Sequence, residues 1–168
     1  MGEIVTYAVR RTDPGEWGVI DGLYPALRKF AAVAAPFDLE PDDLLQESLV
    51  HVLRRHSLSE LDNPAAYLRR VMVNLAASHC RQMGARRRAL RRTAASSNLQ
   101  DDPAYPSDLD ELSALPPRER AALYLAVVEG YRFQEIGQML GCSEAAARKS
   151  ASRARAHLRL ALATEDRP

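Results

Sequence analysis

Residues 133–160 read FQEIGQMLGCSEAAARKSASRARAHLRL. Phe133, Ile136 and Leu140 fall at i, i+3 and i+7, one apolar face of a short helix. Gly141 permits the positive φ of a tight turn, and the Ser143 hydroxyl can cap a following helix. Helix, short glycine turn, helix is the helix-turn-helix layout. In the second half, Ala147, Ala151, Ala154, Leu158 and Leu162 fall within one arc of roughly 80° on a helical wheel. Arg148, Ser152, Arg155 and Arg159 share another side, flanked by Lys149 and Arg153. The small residues let the backbone approach the preceding helix closely, and Leu158 and Leu162 are expected to pack against a helix over Leu123–Val127. The basic side suits phosphates and guanine edges in a major groove. The helix start at Ser143, with its free N–H groups, can also take a phosphate. A solvated amphipathic helix gives the same wheel; the glycine turn and the apolar half before it favour DNA binding.

The rest of the chain sets limits on that reading. It has 168 residues, 46% hydrophobic and 27% charged, with a formal net charge of +1. This suits one medium domain or two small ones. The total charge gives no sign of a nucleic-acid partner, but its distribution does. Residues 38–47 and 101–111 are acidic, and residues 81–92 and 148–159 are strongly basic, as if separate surfaces meet separate partners. The two cysteines, Cys80 and Cys142, have no metal-ligand spacing and read as idle thiols of a reducing compartment. The N-terminus resembles neither a signal peptide nor an anchor, and no apolar run reaches membrane-spanning length. A cytoplasmic protein without cofactor or metal is expected. His51, His56, His79 and His157 sit in helical contexts without a paired nucleophile, so no enzyme is expected.

Nearly every periodic segment reads as helix. Helices are expected over Trp17–Ala35, Pro41–His56, and from Pro64 towards Arg88. Asn63 would cap the last of these, and Gly84 would be its weak point. Residues 93–110 are rich in Ser, Asp and Pro and lack an apolar period, the signature of a flexible linker. Helix signals resume over residues 108–114. Further helices follow from Leu115-Pro116-Pro117 to near Gly130, over Phe133–Leu140, and over Glu144–Leu162. The fold class is all-α: two small helical domains, 1–92 and 111–163, joined by the linker, with a frayed tail at 164–168.

In the third helix, Tyr67, Leu68, Val71, Met72 and Leu75 share an apolar face. Arg70, Asn74, Ala77 and Arg81 share a polar one, extended by Arg86, Arg87, Arg88, Arg91 and Arg92. Such a face can follow a nucleic-acid backbone, and Asn74 can hydrogen-bond a base edge; solvation of a long helix accounts for it equally well. In the second helix, Leu45, Leu49 and Val52 face inward, while Asp43, Glu47 and Val50 form a partly acidic outer face. That face would repel DNA and fits protein docking, or simply a solvated helix.

In this order, these blocks resemble an extracytoplasmic-function (ECF) sigma factor of bacterial RNA polymerase. EPDDLLQESLVHVLRR is similar to conserved region 2.2, and NPAAYLRRVMVNLAASHCRQMGARRR to regions 2.3 and 2.4. LPPRERAALYLAVVEGYRFQEIGQMLGCSEAAARKSASRARAHL resembles region 4, from its L-P-x-x-x-R opening to its R-A-R-x-x-L close. The resemblance covers most of residues 20–162. It departs from the family pattern where Ala145-Ala146-Ala147 replaces Gly-Thr-Val after the turn, where Ser78 replaces Asp, and where Tyr67 replaces Trp.

The resemblance implies a division of labour. Asp43, Gln46 and Glu47 would bind the polymerase clamp. Arg70, Asn74 and Arg81 would meet the −10 element. The loop after the second helix, with Ser57, Ser59 and Glu60, would hold a flipped-out base; it has no aromatic side chain, so capture would rest on polar and backbone contacts. Arg148, Lys149, Ser152 and Arg153 would read the −35 element, with Arg155 and Arg159 on phosphates and Ser143 at the helix start. Core RNA polymerase (clamp and flap), promoter DNA and an anti-sigma factor are the implied partners, with neither a membrane nor a small-molecule substrate. Two other readings compete: a stand-alone helix-turn-helix regulator, and a sigma mimic that titrates an anti-sigma factor.

Overall fold

Four helices begin on a proline, the residue whose missing N–H costs nothing at a helix start. A computed structural model describes residues 14–93, 112 and 114–165. Among them run α1 (Pro14–Ala34), α2 (Pro41–Leu53), a 3₁₀ turn (Leu58–Glu60), α3 (Pro64–Thr93), α4 (Pro117–Val127), α5 (Phe133–Leu140) and α6 (Glu144–Glu165). The described residues contain no strand, and the fold is all-α. Apart from Thr93, which ends α3, the expected linker lies outside the described residues, as does the tail beyond Glu165.

The first three helices form one bundle. Phe30, Leu27, Leu44, Leu45, Val52, Leu68, Met72 and Val73 are its largest fully buried side chains. Ser48 and Glu16 are buried with them. Ser48 donates its hydroxyl to the Leu44 carbonyl at 2.7 Å. Glu16 accepts the Leu58 backbone N–H at 3.2 Å, which ties the 3₁₀ turn to the start of α1. Asn63 caps α3 as expected, its side-chain oxygen accepting the Ala66 N–H at 2.9 Å.

The α2 helix ends at Leu53, a turn short of the expected end near His56, where the Arg55 N–H turns back to the Val52 carbonyl three residues earlier, a tighter bond than the helix's own. The α3 helix runs unbroken through Gly84 to Thr93. Glycine weakens a helix through chain entropy, about 1 kcal/mol against alanine, and the good helix formers around it outweigh one such residue.

In the C-terminal group, the α5–α6 turn follows the glycine reading. Gly141 has φ 64°. The Cys142 N–H returns to the Gly137 carbonyl at 2.8 Å and the Gly141 N–H to the Gln138 carbonyl at 3.3 Å, the bond pair of a Schellman motif. Ser143 Oγ accepts the Ala146 N–H at 3.2 Å and caps α6. Ala147, Ala151 and Ala154 are fully buried against α4 and α5. Leu162 departs from expectation: it is 57% exposed and lines an open groove with Leu123, Val127 and Leu158 instead of closing it.

A second glycine is as constrained as the first. A Cβ on Gly137 would lie 2.8 Å from the Cys142 carbonyl oxygen and 3.2 Å from the Glu144 nitrogen, both backbone atoms of the turn. Gly137→Ala should therefore destabilise the protein by about 1–3 kcal/mol, read as a lower urea midpoint with unchanged slope. Gly18→Ala, where nothing lies within 4 Å of the added carbon, is the control.

Candidate nucleic-acid interface

The outer face of α6 is set by its inner one. With the alanines seated, Arg148, Lys149, Ser152, Arg153, Arg155 and Arg159 are all exposed. They differ in their neighbours. Arg148 is paired with Glu144 one turn earlier and lies over the Phe133 ring at 5.5 Å. Arg153 approaches Glu119 of α4 at 3.7 Å. Arg155 and Arg159 lie on the same side as Arg148, about two and three turns further along, and line the groove that Leu123, Leu158 and Val33 of α1 also border. Ser143, Arg148, Lys149, Ser152 and Arg153 form the outward patch in the first turns of α6, and the two later arginines follow further along the helix. Surface pairs of this kind contribute little to stability, so the patch can exchange its carboxylate partners for phosphates at small cost.

On α3, Arg70, Asn74 and Arg81 are exposed along one side, as the wheel predicts. Ser57 and Ser59 share a hydroxyl–hydroxyl hydrogen bond of 2.7 Å, and Ser59 and Glu60 face solvent. The turn is anchored beneath them by buried Leu58. On α2, Asp43, Gln46 and Glu47 are exposed, and Val50 beside them is 47% exposed. The neighbouring Asp42 is engaged with Arg28 at 2.9 Å and 3.2 Å. That bidentate bond and the carboxylate charge raise the Arg28 pKa.

The structure brings together two buried arginines that periodicity did not single out. Arg69 is 6% exposed. It bonds Glu129 at 2.9 Å, contacts Met139 Sδ at 3.6 Å, and lies over the Phe30 and Tyr131 rings at 5.6 and 5.7 Å. Arg120 is 4% exposed. It donates to the Ala34 and Ala35 carbonyls at 3.0 and 2.8 Å, and to the Leu112 carbonyl at 3.2 Å. Burial lowers its pKa, with a smaller opposing effect of the Cys80 thiol. Both arginines span the seam between the two groups of helices. Phe30 meets Tyr124 across it, edge to face, with ring centroids 6.3 Å apart. Burial, then Glu129, pushes the Tyr124 phenol up. Arg120 was visible in the sequence as the Arg of the L-P-x-x-x-R opening; Arg69 carried no signal, since it neighbours Arg70 in a basic stretch.

Comparison with known proteins fits this geometry. Residues 109–158 match the family model described as Sigma-70, region 4. A probable RNA polymerase sigma factor, RfaY, from Xanthomonas campestris pv. campestris is 34% identical over 135 residues, covering 70% of this chain and 33% of the relative. The chain thus spans about a third of the length of that curated relative. Among solved structures, the sigma factor RpoE, crystallised with the anti-sigma factor NepR from Bartonella quintana, superposes with a TM-score of 0.61 at 24% identity. The match covers 90% of this chain and 98% of that one. No helix among the described residues is long and apolar enough to cross a membrane.

Cys80 lies beside the seam. Burial and the Asp38 carboxylate push its thiol pKa up, against a smaller opposing effect of Arg120. A raised pKa means less thiolate at any given pH. Alkylation of Cys80 by iodoacetamide at pH 8 should therefore be slower than that of a free thiol and should rise at higher pH. Peptide mass spectrometry across a pH series checks this; a rate equal to that of free cysteine contradicts it.

Proposed function

We infer that this sigma-70-type chain is an RNA polymerase sigma factor of the ECF type, which joins core polymerase and directs it to promoters by recognising a −35 and a −10 element. The observation that carries the reading is the placement of three surfaces on one all-α frame. The outward patch at the start of α6 belongs to the segment that matches sigma-70 region 4. A second polar and basic face lies along α3, and an acidic, partly apolar face on α2. A regulator that acts alone has no use for the acidic face, whereas a subunit delivered to DNA by another protein needs one.

In this reading, residues 1–92 act as sigma region 2, 93–110 as linker and 111–163 as region 4. Asp43, Gln46 and Glu47 dock on polymerase, with Val50 adding apolar area. Arg70, Asn74 and Arg81 meet the −10 element, and the Ser57–Glu60 turn receives an unstacked base through hydroxyl and backbone groups. Ser143, Arg148, Lys149, Ser152 and Arg153 enter the −35 major groove from the start of α6. Arg155 and Arg159 follow about two to three turns further along the helix, and their part is contact with DNA phosphates. The chain provides recognition and DNA opening rather than catalysis, works in the cytoplasm, and has an anti-sigma factor as its regulating partner.

Runoff transcription with core polymerase over a randomised promoter library tests this. Transcripts that start downstream of two enriched elements support it; no core binding and no specific start overturns it. Asp43→Lys with Glu47→Lys should weaken core binding at least tenfold while helicity is kept. Lys149→Ala with Arg153→Ala should weaken promoter binding by the holoenzyme and lower its salt slope by about 2.

A further inference from the structure

Because α3 runs unbroken through Gly84 to Thr93, the wheel that puts Arg70, Asn74 and Arg81 on one side continues without a change of register. Arg88 and Arg92 fall with those three residues inside one arc of about 40°. A break at Gly84 would have turned them elsewhere. The stripe begins at Arg70, beside Gly141 of the α5–α6 turn, and ends about 33 Å further along at 1.5 Å per residue. The Arg88 guanidinium folds back over Gly84, where a Cβ would stand 3.5 Å from its Nη1. It therefore lies along the stripe, towards Arg81, as helical side chains do.

We propose that Arg88 and Arg92 carry the −10 face of α3 onto the backbone phosphates of the duplex between the two promoter elements. The inference rests on the sigma factor reading and extends it to a DNA contact outside both elements.

The end of α3 is built for an extended polyanion. Every described side chain from Ala85 to Arg92 is exposed. The helix has no Asp or Glu anywhere along it, so it carries no carboxylate to neutralise the run. Arg88 and Arg92 stand four residues apart, a spacing at which like charges weaken a helix. Cations suit the last turn through the helix dipole, but that effect fades within a turn and does not reach back to Arg88. A lipid surface would need a broad apolar face, and Leu90 is the single large apolar residue from 85 to 92. A compact acidic partner could use arginines on any side of the helix. A DNA backbone followed from the −10 face uses those in line with Arg81, and their planar forks match its phosphates. The chain leaves α3 towards the segment assigned to the −35 element, so this end of the helix points upstream. Arg88 and Arg92 lie about 10 and 16 Å beyond Arg81, a reach of roughly three to five base pairs. Arg86 and Arg87 carry the same charge on the same turns but fall more than about 100° from the centre of the arc.

That pair supplies the control. The holoenzyme is bound to a promoter fragment across a salt series and footprinted with hydroxyl radicals, as the parent, as Arg88→Ala with Arg92→Ala, and as Arg86→Ala with Arg87→Ala. The first pair should weaken promoter binding about tenfold and lower the salt slope by about 2. It should also lose backbone protection over the three to five base pairs upstream of the −10 element, with both elements still protected. The control pair should keep the parent's footprint and lose less than half as much slope. Circular dichroism checks helicity, and binding to core polymerase without DNA should be unchanged in both. A slope and footprint equal to the parent's in Arg88→Ala with Arg92→Ala, or equal losses from the two pairs, overturns the inference. Loss of core binding without DNA would place these arginines on polymerase and overturns it too. A parent holoenzyme that protects both elements while the first variant keeps the upstream stretch sinks this inference alone. A parent that binds no core polymerase and protects no promoter sinks the sigma factor reading, and this inference with it.

Discussion

A guanidinium seated on the end of a helix holds the two halves of this molecule together. Arg120 enters from α4 and meets the Ala34 and Ala35 carbonyls, which close α1. Around that contact one continuous buried cluster runs from Leu27 and Phe30 through Leu125 and Ile136 to Ala151. The position of the α5–α6 turn over α3 follows from it, and so does the juxtaposition of Arg70 with Gly141. The seam is mixed in character. Its apolar part resembles a domain core, but its charged part is expensive to bury and is balanced by dipoles as well as by Glu129.

Each half is simple inside. The N-terminal bundle buries long aliphatic side chains and leaves its polar faces outward. The C-terminal group is thinner: three alanines of α6 and a glycine of α5 let backbones approach where larger side chains would hold them apart. That closeness is what makes the arginines of α6 available. A helix seated by its small side keeps its long side chains free. The Ala145-Ala146-Ala147 run continues the principle: Ala147 is buried, while Ala145 and Ala146 remain exposed at the helix start.

Much of this was legible in the sequence. Helical periodicity, prolines at helix starts, Asn63 and Ser143 as caps, and Gly141 at the turn all act through neighbours in the chain, which is what a sequence shows directly. The polar sides of α2, α3 and α6 were legible for the same reason. What was hidden depends on contacts between distant segments. Gly137 reads as a neutral helical residue until the turn folds over it. Arg69 and Arg70 are adjacent and chemically identical, yet one is buried on Glu129 and the other exposed beside Gly141. Arg155 and Arg159 share a wheel sector with Arg148, yet they border the groove towards α1 and Arg148 does not. Leu162 faces the right way, yet it stays exposed on the open groove it lines with Leu123 and Val127. Gly84 shows the converse: a local weakness that the surrounding helix overrides.

A hydroxyl-radical footprint of one promoter, taken with the chain alone and with the chain bound to core polymerase, measures the central claim most directly. The account predicts no specific protection by the chain alone and two protected stretches in the complex, one upstream for the α6 patch and one nearer the start for the α3 face. Protection of a single duplex site by the chain alone, unchanged when polymerase is added, would contradict it.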